Sequence, residues 1–281
     1  LDGVVSGLDI STLGSTFSVP RIDGSGTLDV NFGVGFSHIN SNPTRLLMGI
    51  GTRFSGPTVI ANPTLGVAVP PGTASAVVRD DPALMGRSMG VSIHTALFNQ
   101  VFHALWRGGL LRGTITGDGT SFPEGVIVEL EGSLPPVAEM DEEGTVNVGI
   151  GTLNLSLVYP GLFDDPLPVT LGARSTANVR LVGNDLAFDG IVIDELFFST
   201  REVSLDEETR EILEGFLISL VQSLVDSVLN DSLPAIPIPS FELPASLATY
   251  GVPVGTELGI RSPTLANEPQ HFVLRGNFGS L

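Results

Sequence analysis

The chain contains neither cysteine nor lysine. Without cysteine there are no disulfides, no thiol chemistry and no cysteine metal sites, and compartment cannot be read from redox usage. Without lysine all 13 basic residues are arginine, set against 31 acidic ones for a net charge of -18. Such a surface repels nucleic acid and anionic lipid headgroups at long range, so no nucleic-acid partner is expected and a polybasic membrane- or phosphate-binding role is disfavoured. The absence of lysine is read as the mark of a GC-rich bacterial genome. Aromatic residues are few, with one tryptophan and two tyrosines. A long uncharged run is missing too: the most apolar helical stretch is interrupted by Glu214 and Asp226, so no transmembrane helix is expected. The chain begins at Leu1 with no charged-then-apolar leader, and reads as a processed or excised fragment.

What is abundant is glycine and proline, 34 and 20 residues spread between apolar runs. That distribution implies many turns between many strands. Residues 28–36, LDVNFGVGF, alternate strictly, with Leu28, Val30, Phe32, Val34 and Phe36 on one face. Strands are also predicted over 46–54 and 65–69, each introduced by Asn-Pro-Thr. Further strands are expected at 91–93 and 126–130. In 145–158 the apolar parity switches from even (Val146, Val148, Ile150) to odd (Leu153, Leu155, Leu157). One extra residue near Gly149–Thr152 would restore a single buried face, so a bulge is predicted there. A hairpin about Gly183-Asn184-Asp185 joins 169–182 to 186–198, and the last strands are 257–260 and 271–278.

Two helices interrupt the strands. The shorter has Leu97, Phe98, Val101, Phe102 and Leu105 on one stripe and is stopped by Gly108 and Gly109. The longer, about 38 Å from Leu205 to Leu229, carries Leu213, Phe216, Leu217, Leu220, Leu224 and Val228 at a four-residue beat. Ser204 and Glu207 read as its capping box, and prolines 234, 237 and 239 force an extended ribbon after it. Strands arriving in runs make the fold α+β: a long, highly curved antiparallel sheet wrapped around two amphipathic helices. The expected division is an extension at 1–24, central-sheet strands at 25–75 and one barrel at 76–281.

Candidate chemistry is sparse. Gly86-Arg87-Ser88-Met89-Gly90 fits the nucleophile-elbow pattern, with Asp165 and His271 following in hydrolase order. An elbow needs a buried strand leading into its serine, and Asp80-Asp81-Pro82 stands where that strand should be. The four histidines show no i, i+4 pair, so no metal site is expected, and His94 and His103 read as helix-end or rim residues. Asp23-Gly24-Ser25-Gly26 and Asp118-Gly119 read as tight turns. No cofactor is called for. The remaining signal is apolar: the two helical stripes and a bent sheet would leave a slot for a hydrocarbon chain.

Phe98-Asn99 with Gly109 and Leu111, the run Leu130-Glu131-Gly132-Ser133-Leu134-Pro135, and the long helix leading into Leu233-Pro234-Ala235-Ile236-Pro237 together resemble the tubular lipid-binding superfamily. The likeness is to the carboxyl-terminal, BPI-like barrel of the bactericidal/permeability-increasing protein family. It covers about residues 25 to 281. It implies a non-enzymatic module that binds or transfers phospholipid or sterol-like lipid, placed outside the cytoplasm in an extracellular or periplasmic setting. Lipid contacts would come from Leu97, Phe98, Val101, Phe102, Leu105, Leu213, Phe216, Leu217, Leu220, Leu224 and Val228. Transient membrane contact, and a second barrel or partner protein on the edge strands, are the implied further partners. The acidic balance departs from the family's cationic tips, so endotoxin neutralisation is not carried over with the resemblance. On this reading Leu217→Asp or Leu220→Asp abolishes lipid retention. The rival readings are an interaction module whose core is fully packed and, ranked behind it, a serine hydrolase using Ser88.

Overall fold

The computed structural model describes residues 14–42, 44–61, 75–79, 81–120, 122–200, 203–226 and 235–281. Its class is α+β, with every strand pairing antiparallel and the largest sheet curled into a half-barrel. The alternating segment becomes β2 (Thr27–Asn42), flanked by β1 (Ser15–Pro20) and β3 (Arg45–Ser55) in a three-stranded sheet. Leu28, Val30 and Phe32 are buried and the intervening residues exposed, as the two-residue period requires. The strand expected at 65–69 lies outside the described residues.

β4 (Met89–His94) runs into helix α1 (Ala96–Arg107). The chain then forms β5 (Arg112–Thr116), β6 (Ile127–Gly132), β7 (Val137–Met140), β8 (Val146–Tyr159), β9 (Phe163–Val182) and β10 (Asp185–Ser199). Helix α2 (Glu207–Val225) follows, then β11 (Ile236–Pro237), β12 (Phe241–Glu242), β13 (Glu257–Glu268) and β14 (His271–Ser280). The seven-stranded sheet has the order β11-β10-β9-β8-β6-β5, with β7 also on β8; the four-stranded sheet is β12-β13-β14-β4.

The predicted bulge is present. Ile150 faces Ala173 and Leu153 faces Leu171, so β8 spends one residue more than β9 across this interval. Burial passes from Val146 and Val148 to Leu153, Leu155 and Leu157. Two more register breaks, between Asp189 and Val192 and between Ile193 and Glu195, fall where β10 runs beside β9. Bulges increase local twist, and these lie on the three longest strands of the curled sheet.

Helix α1 ends as its glycines require. The Leu110 amide donates to the Leu105 carbonyl and the Gly109 amide to that of Trp106, a Schellman closure with Gly109 left-handed at φ 83°. The start of α2 differs from expectation. Asp206, not Ser204, is the N-cap, its Oδ1 accepting from the Thr209 amide at 2.9 Å and its Oδ2 from the Thr209 hydroxyl. Aspartate caps at least as well as serine, and Thr209 stands at the third helical position to meet it. These bonds hold the Asp206 carboxyl below its usual value.

One contiguous apolar core joins all three sheets and both helices. α1 stands at its centre. The Phe98 ring lies 4.3 Å from Phe188 on β10 and 5.3 Å from Phe272 on β14. Asn99 exchanges two hydrogen bonds with Ala138 on β7, accepting from its amide at 2.6 Å and donating to its carbonyl at 2.9 Å. A single side chain thus satisfies backbone groups that β7 would otherwise bury unpaired. The Arg107 carbonyl accepts from the Val59 and Ile60 amides beyond β3.

Candidate ligand crevice

The candidate site is a crevice where α1, α2 and the bent part of β8 converge. α1 and the turn after it contribute Phe102, Leu105, Trp106, Leu110 and Leu111. Ile150 and Leu153, which flank the bulge, form the floor with Pro136. Val221, Leu224 and Val225 close it from α2. All the lining side chains are apolar, and the Trp106 Nε1–H is spent inside the protein, donating to the Gly132 carbonyl at 2.7 Å. Gly132 also fixes this corner by having no side chain: a Cβ there would meet Leu111 at 2.8 Å. The cavity is small, about 30 Å³.

The residues named from sequence fall into three groups. Phe102, Leu105 and Leu224 line the crevice. Leu97, Phe98, Val101, Leu213, Phe216, Leu217 and Leu220 are buried elsewhere in the core. Val228 lies outside the described residues. Phe216 packs against Phe122 and Tyr159, at the end of β8 away from the bulge. Trp106, Val221 and Val225 each directly follow a stripe residue (Leu105, Leu220 and Leu224), and that adjacency is their signal in sequence. Ile150 and Leu153 had a signal of their own, the parity switch, since a bulged strand re-aims its side chains.

The elbow motif does not form an elbow. Residues Asp81–Leu84 make a 3₁₀ turn where its strand should be, strapped to the outer face of the four-stranded sheet by Arg275, whose Nε donates to the Ala83 carbonyl. Arg275 in turn pairs with Glu268 at 2.7 Å. The Ser88 hydroxyl accepts from the Phe278 amide at 2.8 Å. The glycine loops are tight turns: Asp23 accepts from the Ser25 amide and Asp118 from that of Thr120. Among the described residues no cluster of His, Asp and Glu could hold a metal ion. A second depression of about 390 Å³, lined by Arg112, Thr114, Glu129, Glu131, Asn154 and Ser156, crosses the outer face of β5, β6 and β8. Its rim is polar and solvated.

His94 is the helix-end residue its position suggested. Its Nδ1 accepts from the Ala96 amide at 3.0 Å, satisfying one of the free donors that open α1. His271, opposite it on β14, approaches to 4.8 Å between ring centroids. The His94 pKa is held below 6.5, first by burial and then by repulsion from His271, with Gln270 opposing. The folded ring therefore takes up its proton less readily than the unfolded one. Stability is full above the unfolded value and declines as pH falls below it. His94→Asn keeps an acceptor for the Ala96 amide and removes the titration. The fall in Tm from roughly pH 7.5 to 5.5 should be shallower in this variant than in the parent; parallel curves would assign the acid loss to other groups.

No family model matches the chain, and no curated protein sequence matches it. Among solved structures, the crystal structure of a lipopolysaccharide binding protein aligns over 89% of this chain and 55% of its own, at 9% identity and TM-score 0.35. The chain thus spans about half the length of that protein. P47 of Clostridium botulinum E1 aligns over 91% of this chain and 80% of its own, at 14% identity and TM-score 0.33. Both superpositions are loose, and the α+β class rests on the strand pairings of this chain.

Proposed function

We propose that this chain is a non-enzymatic binding module for lipid acyl chains, of phospholipid or sterol-like lipid, held between α1, α2 and the bend in β8. One observation carries the reading: two helices and a bulge converge on a crevice lined only by apolar side chains. Apolar pockets with few polar groups are the ordinary form of a lipid site. Ligand pockets run to about 300 Å³ and more, so α2 has to lift from β8 as a chain enters. Burying about 16 methylenes supplies up to roughly 13 kcal/mol gross to offset that opening and the ordering of the chain. Membership of the tubular lipid-binding superfamily is part of the same reading. Its support is that Phe98, Asn99, Gly109 and Gly132, the residues of the resemblance, each hold α1 or its exit in place.

The test is mass spectrometry of an organic extract from gently purified protein, beside a denaturing blank and after incubation with mixed lipids. A stoichiometric lipid is the expected result. Leu224→Phe adds three carbons to the crevice wall, and retention should fall roughly tenfold with little change in Tm. Clean extracts under both conditions would overturn the proposal. They would favour the second reading, a packed interaction module, for which the small cavity volume speaks directly.

A further inference from the structure

Three segments meet at one end of the four-stranded sheet. Met89 faces Gly276, Leu258 faces Ser280 and Glu242 faces Glu257. The turn before β4, the end of β14 and the β12–β13 loop (residues 243–256) therefore project from the same edge. Hydrogen bonds hold them there, from the Phe278 amide to Ser88 and from the Leu243 amide to the Thr256 carbonyl. These segments push apolar side chains into solvent: Tyr250 is 83% exposed, Met85 77%, Val254 71% and Phe278 50%. Away from this end, the only large apolar side chains among the described residues at least half exposed are Val192 and Phe197 on β10. Single exposed apolar residues are ordinary; their concentration at one end of one sheet is not.

We propose that this end of the sheet docks on an electrically neutral lipid bilayer, with Tyr250 and Val254 entering deepest. The 243–256 loop, LPASLATYGVPVGT, has no charged side chain, and the chain's net charge of -18 opposes anionic surfaces, so the attraction is apolar. The exposed groups stand on separate prongs across four strands, whose axes span about 14 Å along the sheet edge. A protein partner would have to match those prongs in shape over a broad surface, whereas a bilayer boundary admits each one separately. Tyrosine suits that boundary, with an apolar ring and a hydroxyl left among headgroups. Exposed Arg87, beside Met85, can meet a lipid phosphate. The proposal concerns the outer surface and stands whether or not the crevice takes a chain.

The test is flotation of the intact chain with phosphatidylcholine vesicles, in low salt and in about 0.5 M NaCl, where exposed charges are screened within a few ångströms. The parent should float equally in both. Y250D/V254D, and the uncharged Y250S/V254S, should partition roughly tenfold less or weaker still. V192D/F197D, on the curled sheet, should float like the parent. A parent that does not float, or loop variants that float undiminished, would overturn the proposal. So would a parent that light scattering shows to be a dimer and that Tyr250→Asp converts to monomer, because the patch would then be a protein interface.

Discussion

Phe102→Ala should cost about 3–5 kcal/mol of folding free energy, read as a lower denaturant midpoint at unchanged slope. Phe102 is 1% exposed, stacks 6.1 Å from Phe188 and lines the crevice, so its removal leaves a void among Leu105, Leu153 and Leu224. That void makes the same variant a probe of function. An enlarged apolar cavity takes up apolar molecules, and a fatty acid or short alkane should restore more Tm to Phe102→Ala than to the parent. Equal shifts in both proteins would mean that the ligand binds elsewhere. A loss below about 1 kcal/mol would mean that α1 is not held by the core as described.

Leu217→Asp should leave no folded protein, while Ile218→Asp, one residue on, should cost only about 1–1.5 kcal/mol, from its half-covered side chain and from repulsion by Glu214 one turn earlier. Leu217 is completely buried and Ile218 is 44% exposed, so the same carboxylate meets the core in one variant and water in the other. The comparison reads the facing of α2 directly by circular dichroism and thermal melting. A folded Leu217→Asp would show that α2 is loosely seated. It also revises how lipid retention should be tested: Leu217 and Leu220 do not line the crevice, so aspartate there reports on folding before it reports on binding.

Much of the fold was legible because local rules and tertiary packing agree. The strict alternation of 28–36 became a one-sided strand, the parity switch in 145–158 became a bulge, and Gly108-Gly109 became a Schellman closure. The capping-box pattern places the start of α2 at Ser204, two residues before the observed cap, because Asp206 is also a cap-forming residue and only its hydrogen bond to Thr209 decides between them. Helix length does not track burial. The longer one buries a single stripe and leaves Ile212 and Ile218 about 40% exposed. The shorter one is enclosed by all three sheets, and its eight buried residues leave little of its circumference free. Periodicity shows that a face is apolar and says nothing of how many partners cover it.

By itself the sequence determined the α+β class, the placement of most strands and both helices, the absence of cysteine chemistry, and the repulsion of polyanions. Those properties follow from side-chain period, backbone-limited residues and summed charge, which are local or additive. Tertiary structure alone decided which three of the named apolar residues, Phe102, Leu105 and Leu224, reach a common crevice, and how narrow that crevice is. It also brought Met85, Tyr250, Val254 and Phe278 to one edge although they span nearly 200 positions of sequence. Both depend on strand register and on the curl of a sheet. One residue of slip or one bulge moves every side chain beyond it, and no window of sequence contains both partners of such a pairing.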